Sequence, residues 1–292
     1  MIPPELQNEI EKSLSGKFNF QYSIVNSQSV GGGCINHTHT LETNRGKFFL
    51  KWNDKKRFPK MFQAEARGLS LLRSTNTLYI PEVVLVVEAS EQSCLILEWI
   101  DPGKREKHFW KNFGEQLATL HQHTEMNFGL DHDNYIGSLP QCNEQQVLWP
   151  DFFIRQRLEP QLKLAVDSGK LSLQLMNNSA NLFRKLPELI PAEKPSLLHG
   201  DLWNGNYMIA SNGFACLIDP AVYYGHREMD LAMTKLFGGF DSDFYSSYHE
   251  HYPLEKGFES RVDIHNLYPL LVHVNLFGGG YVQQVNSILS RF

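Results

Sequence analysis

A chain of 292 residues with 27 Lys and Arg against 32 Asp and Glu has a net charge of −5 at pH 7, which argues against a general nucleic-acid binder. It is long enough for two modest domains or one large one and apolar enough to bury a core, yet no stretch approaches the ~20 apolar residues of a membrane-spanning helix. The opening MIPPELQNEIEKSL has neither a basic head nor a long apolar run, so no secretory signal is expected. Four scattered cysteines without a C-x-x-C pair point to neither a zinc site nor a disulfide framework, and a reducing cytoplasm is the expected location.

The first hundred residues read as three strands, one helix and two strands. A strand over 21–30 ends in Gly31-Gly32-Gly33. That run would let backbone N–H groups approach phosphates, though alone it is equally a plain hairpin turn. It is neither G-x-G-x-x-G nor a Walker pattern, which disfavours a dinucleotide-binding domain and a P-loop ATPase. A second strand over 37–42 and a third over 47–52 flank the turn Asn44-Arg45-Gly46. Lys51 interrupts an otherwise apolar strand, Phe48 to Trp52, where an unpaired ammonium would be costly to bury. The helical spacing over 58–73 supplies Glu65 as a partner, and such a pair would hold the lysine toward the α- and β-phosphates of a nucleotide. An exposed strand lysine is the plainer alternative. Strands over 83–87 and 94–100 follow. The last closes with Leu97-Glu98-Trp99-Ile100, where a main-chain hinge between two lobes would bind adenine; an ordinary strand end reads the same way.

Asp101-Pro102-Gly103 reads as a linker, and beyond it the pattern turns helical. Phe109, Phe113, Leu117 and Leu120 fall on one face of a long helix, with further helices over 151–166 and 171–186. Short strands follow over 197–199, 207–209 and 214–218, the last two joined by the hairpin signal Asn212-Gly213. Helices should dominate from Met229 onward. The pairs His37/His39 and His249/His251 lack acidic or cysteine partners at metal-site spacing.

The chemistry concentrates in LHGDLWNGN, residues 198–206, followed by Leu217-Ile218-Asp219-Pro220. Phosphoryl transfer to a hydroxyl needs a carboxylate to orient the hydroxyl and accept its proton, oxygen ligands for Mg²⁺, and a cation against the developing charge. Asp201 suits the first role. Asn206, five residues on, offers a neutral hard oxygen, and a hairpin would return Asp219 beside it to complete the metal site. Single Asp, Asn and Gly residues in loops are usually turn formers. The ordered set H-G-D-x-x-x-x-N, hairpin, Ile-Asp is far more specific, and its spacing resembles a kinase catalytic loop with its metal-binding aspartate.

With these residues assembled, the chain resembles the fructosamine kinase, or ketosamine-3-kinase, family, a branch of the aminoglycoside phosphotransferase-like kinases. The resemblance runs through Gly31-Gly32-Gly33-Cys34-Ile35, FFLKW, Ala64-Glu65-Ala66, the block 128–141 and SLLHGDLWNGN. Its most specific parts are IDPAVYYGHREMDLAM, residues 218–233, and LFGGGY, residues 276–281. It implies phosphorylation of the third-carbon hydroxyl of ketoamines, the adducts formed when sugars glycate amines, and breakdown of the unstable product frees the amine. By the same resemblance Asp201 is the proton acceptor, Asn206 and Asp219 are metal ligands, and Lys51 and Glu65 position the phosphates. Trp203 packs on the substrate; independently, an indole beside the base could cover a sugar's C–H face, or be an ordinary core aromatic. Asp230 is expected to support the catalytic loop through its backbone, together with His199. Cys34 matches a redox-sensitive position that could link two chains on oxidation; a small residue that fits the loop is the plainer reading. The segment after Cys34 has no glycine before Gly46, a departure from the family pattern in the phosphate loop.

The expectation is therefore an α+β, protein-kinase-like two-lobed fold. A nucleotide-binding lobe over 1–100, with a five-stranded antiparallel sheet and one helix, precedes a mainly helical catalytic and substrate-binding lobe over 101–292. ATP and Mg²⁺ are the expected cofactors, a small ketoamine or a glycated protein lysine the expected substrate, and a monomer the expected state, with no nucleic-acid or membrane partner. A kinase of another small hydroxyl compound, such as an aminoglycoside or choline, is the nearest alternative. A silent nucleotide-binding regulator is disfavoured because every expected catalytic residue type is present.

Overall fold

The computed structural model describes residues 2–31 and 35–292. The first element is a helix that the sequence reading did not anticipate, α1 (Pro4–Phe18). Its signal was present: proline opens the first turn, where a missing N–H is harmless, and Leu6, Ile10 and Leu14 repeat every fourth residue and are fully buried. The expected single helix of this region is thus two. β1 (Ile24–Ser29), β2 (His37–Thr43) and β3 (Gly46–Asp54) follow, then α2 (Met61–Ser74), β4 (Val83–Ala89) and β5 (Gln92–Glu98). The five strands form one antiparallel sheet in the order β1-β2-β3-β5-β4.

Strand alternation gives this sheet two apolar faces. Leu41, Leu50, Val84, Val87, Cys94 and Ile96 pack on α1. Leu95 and Leu97 point the other way, into a core shared with Phe62, Leu69 and Leu72 of α2. Lys51, in register with Thr38 and Leu95, also lies on the α2 face. Since Ile10 has no exposed surface, Ile10→Ala should cost about 2–4 kcal/mol through lost transfer energy and a residual cavity. Urea denaturation would measure it, with the midpoint falling and the slope unchanged.

The remaining chain is mainly helical. α3 (Phe109–His121) lies against α8 (Ser242–His251), and α9 (Phe258–Phe277) is buried along most of its length between α5 (Glu159–Asp167), α7 (Glu228–Leu236) and α10 (Gly280–Leu289). The helix expected over 151–166 is instead α4 (Trp149–Phe152), a π turn at Phe153–Leu158, and α5. α6 (Leu173–Leu189) follows. Two small strand pairs frame the region of interest. β8 (Ser196–Leu198) pairs with β11 (Tyr223–Gly225), while β9 (Tyr207–Ile209) and β10 (Ala215–Leu217) make the anticipated hairpin. A third pair, an unanticipated hairpin, joins β6 (Asn134–Ile136) to β7 (Leu139–Gln141) through Gly137-Ser138, with Gly137 at φ +58°. Among the described residues, no helix is long and apolar enough to cross a membrane.

Candidate active site

The segment after β8 turns sharply at Gly200, whose φ is +82°. A Cβ there would lie 2.1 Å from Ala221 O, so only glycine allows the loop to pass this close to the chain beyond Asp219. Asp201 follows, and the Asn206 side-chain amide donates to both its main-chain oxygen and Oδ2 at 2.8 Å. Asn206 O accepts from Ile218 N–H at 3.0 Å, closing the β9–β10 hairpin and bringing Asp219 back beside Asn206. Burial pushes the Asp201 carboxyl up to about 7; the Asn206 hydrogen bond opposes this, and the nearby charges of Asp219 and Asp230 add to it. That value suits a group that must accept a proton near neutral pH.

Lys51 reaches the same point from β3. Its Nζ, almost fully buried, donates to Glu65 Oε1 at 2.6 Å and to Asp219 Oδ1 at 2.5 Å. Burial lowers its proton affinity, but the Asp219 and Glu65 carboxylates more than reverse that and hold the ammonium charged, above the usual lysine range. Two of its three hydrogens are thus spoken for, and the third is available to an anion. Asp219 sits at φ +55°, a left-handed conformation that Asp and Asn adopt more readily than other non-glycine residues.

Support comes from behind. Both oxygens of buried Asp230 accept loop amides, His199 N–H at 2.8 Å and Gly200 N–H at 2.9 Å. Burial opposes the Asp230 charge, but His121 and these amides hold the carboxyl below its usual range. His121, fully buried on α3, bridges Asp230 Oδ2 at 3.3 Å and the Tyr248 hydroxyl at 2.8 Å; sequence reasoning missed it. Its only signal was a histidine ending an apolar helix. His199 is kept neutral by burial. Its Nε2 lies 3.0 Å from Ile218 O, and its Nδ1 accepts the Asp201 N–H at 3.3 Å, so the imidazole spans the two halves of the loop.

Lys51, Glu65, Asp201, Trp203, Asn206 and Asp219 line one cleft of about 190 Å³. Trp203 is partly exposed there rather than buried in a core, with its ring over Gly205 and edge-on to Phe237 at 5.5 Å. Asn134, Tyr135 and Gly137 of the β6–β7 hairpin line the same cleft and were not singled out from sequence. The hinge residues are not among those lining it. The Glu98 carboxylate lies 3.8 Å from Arg73, the Trp99 indole donates to Asp101, and Ile100 packs on Ala210 and Cys216 of the β9–β10 hairpin. The segment beyond the strand is tied to that hairpin by Gly103 N–H donating to Ile209 O at 2.8 Å. Gly31 is exposed just beyond β1; Gly32, Gly33 and Cys34 lie outside the described residues.

The donor set fits a divalent cation. The Asn206 amide nitrogen is spent on Asp201, leaving its carbonyl oxygen free in the cleft, and half-exposed Asp219 keeps one oxygen clear of Lys51. A carboxylate and an amide oxygen suit Mg²⁺ rather than a softer metal. His226, Glu228 and His265 form another close, buried cluster. There Arg261 already grips both Glu228 oxygens, and His226 is occupied at both nitrogens by Pro191 O and the Glu228 N–H, so the cluster reads as an ion-pair network.

Comparison with known proteins places these features in context. The sequence model of the fructosamine kinase family matches residues 6–292. A Synechocystis sp. protein named a probable ketoamine kinase is 40% identical over 92% of this chain and 91% of its own length. A mouse ketosamine-3-kinase is 37% identical over 86% of this chain and 89% of its own. The crystal structure of a Haemophilus somnus protein assigned to the fructosamine-3-kinases superposes with a TM-score of 0.90 at 30% identity, covering 98% of this chain and 97% of that one. An aminoglycoside phosphotransferase bound to a nucleotide analogue and hygromycin B shares the fold alone, with a TM-score of 0.62 at 15% identity over 97% of this chain and 98% of that one.

Proposed function

The chain belongs to the fructosamine kinase family, and we propose that it transfers the γ-phosphoryl group of ATP to the 3-hydroxyl of a ketoamine, with Asp201 as the base. The observation that carries the assignment of roles is the meeting of Asp201, Asn206, Asp219 and Lys51, from two distant parts of the chain, in one cleft. In this reading Asp201 orients the acceptor hydroxyl and takes its proton as the oxygen bonds to phosphorus. The bond to the leaving oxygen breaks, and ADP departs without a phosphoenzyme. Lys51, fixed by Glu65, turns its remaining N–H to the phosphates. Asn206 Oδ1 and Asp219 would hold Mg²⁺, which when bound neutralises phosphate charge. The adenine would lie along the main chain at Glu98, Trp99 and Ile100. His199 and Asp230 keep the loop in shape.

The chain divides, in this proposal, into a nucleotide lobe over 1–100 and a catalytic lobe over 101–292. All the groups invoked come from one chain, so a monomer suffices, and a cytoplasmic setting suits an ATP-dependent repair of glycated amines. The test is a coupled ADP-release assay with MgATP and fructosyl- or ribulosyl-amines, with an aminoglycoside and choline as rival acceptors. Turnover confined to a rival acceptor would reject the reading.

Trp203 gives a sharper check on acceptor binding. Trp203→Ala should raise the ketoamine KM about ten-fold, the loss of one good aromatic contact, and leave the ATP KM within about two-fold. Equal weakening of both substrates would instead mean that the indole merely shapes the loop.

A further inference from the structure

Arg157 is the largest fully buried side chain among the described residues, and the chemistry above makes no use of it. It stands near the end of the π turn at Phe153–Leu158. Its hydrogen-bond partners are all neutral. One terminal nitrogen donates to Cys142 O at 2.6 Å and to Gln156 O at 3.1 Å, the other to Asn143 Oδ1 at 2.7 Å, and Nε has no partner among the described residues. Three rings surround the guanidinium, Tyr223 at 4.1 Å, Phe152 at 4.5 Å and Tyr268 at 5.4 Å. Such a cage tolerates a weakly hydrated, planar cation far better than an ammonium. Even so, a buried charge without a counter-ion is an expensive way to fill space that an apolar side chain could fill.

The bonds from Arg157 lead somewhere specific. Asn143 donates to Asn134 Oδ1 at 3.0 Å, and Gln141 donates to the same oxygen at 2.7 Å while accepting from the Tyr268 hydroxyl at 2.6 Å. The chain of amides ends on the backbone just past Asp219. Asn134 Nδ2 donates to Val222 O at 2.8 Å, and Gln141 Nε2 to Ala221 O at 3.2 Å. The β6–β7 hairpin thus grips two consecutive carbonyls downstream of the residue held at φ +55°. The same hairpin reaches the α2 side of the cleft, where the Tyr135 hydroxyl donates to Pro59 O at 3.0 Å. Gly68 of α2 faces Val222 closely enough that a Cβ would stand 3.0 Å from its side chain.

We propose that Arg157 is a positioning residue: through Asn143, Asn134 and Gln141 it pins the β6–β7 hairpin to residues 219–222 and so fixes where Asp219 stands opposite Lys51. The consequence for the metal rests on the reading of Asp219 given above; the clamp itself does not. Arg157→Met keeps length and contact with the rings but removes every donor. In the full-length, nucleotide-free protein, amides of 221–224 should then exchange with deuterium about ten-fold faster while those of α3 and α10 keep their rates, because the loss is local. Mg²⁺-dependent binding of a non-hydrolysable ATP analogue, followed by calorimetry, should weaken about ten-fold, as when the support of a metal ligand is removed. Arg157→Lys should not restore either property, since an ammonium cannot reproduce the fork. If Arg157→Met does not fold, Gln141→Met, which removes the bonds to Asn134 Oδ1, Ala221 O and the Tyr268 hydroxyl, takes its place with the same readouts.

Unchanged exchange at 221–224 in a folded variant, or equal acceleration across all helices, overturns the clamp. Asp219→Asn separates the two ideas. If it leaves Mg²⁺ dependence intact, the metal reading of Asp219 fails, while the exchange data still judge Arg157.

Discussion

Asp201→Asn should lower kcat by about 10³-fold, within the range that a positioned base contributes, while leaving the affinity for MgATP within about three-fold. The replacement is nearly isosteric, and its oxygen can still accept from Asn206, as the carboxylate does at 2.8 Å. The loop should therefore keep its shape, and the loss should fall on the chemical step. Stopped turnover with retained binding of a nucleotide analogue is the expected pair of results. Turnover equal to the parent enzyme's would remove Asp201 from the mechanism.

The pH profile gives the same residue a second signature. The base is the ionised form, and burial pushes its pKa up to about 7. kcat/KM of the parent enzyme should therefore climb as pH rises toward 7 and level off above it, and the asparagine variant should lose that limb. Stability runs in the opposite direction. The carboxyl titrates near 3.8 when unfolded and near 7 when folded, so its favourable contribution is complete below about pH 4 and is lost as pH rises to about 7. Above pH 7 the asparagine variant should melt higher than the parent. A lower Tm for the variant at pH 8 would contradict the burial that this reading depends on.

The parts of the site legible in sequence were those fixed by short-range geometry. Five residues from Asp201 to Asn206 make one loop, and thirteen from Asn206 to Asp219 make one hairpin with a strong turn, so their meeting followed from spacing alone. The Lys51–Glu65 pair was legible because an ammonium on the inner face of an apolar strand demands a carboxylate from whatever packs there. The helix α1 was written just as plainly, in Leu6, Ile10 and Leu14, but three apolar residues among many polar ones make a faint period. The amide clamp was not legible at all. Asn134, Gln141 and Asn143 look like turn residues in sequence. The partners of Asn134 and Gln141 at Val222 and Ala221 lie some eighty positions away, and only the tertiary fold turns these amides from solvated polar groups into buried ones. The π turn was hidden for a related reason: its period differs too little from that of an α-helix to register over six residues.

Asp219→Asn should reduce kcat/KM by about 10³-fold or more, because it removes a full charge from the place where the phosphates and their counter-ion must be held. Asparagine is the informative replacement. It tolerates the left-handed backbone seen at φ +55°, whereas alanine would add strain and confuse a catalytic loss with a folding one. Lys51 would keep Glu65 at 2.6 Å, so its ammonium remains paired and the β3–α2 contact should survive. With the fold preserved, the defect should appear as a large rise in the Mg²⁺ concentration needed for half-maximal rate, and partial recovery at high Mg²⁺ should follow. Lys51→Met makes the converse case: it strands Glu65 and Asp219 without their shared cation, and the ATP KM should rise even when Mg²⁺ is saturating. If the Asp219 variant instead titrates with Mg²⁺ as the parent does, Asp219 would be an anchor for Lys51 alone. The metal would then have to be held by Asn206 and the phosphates without it.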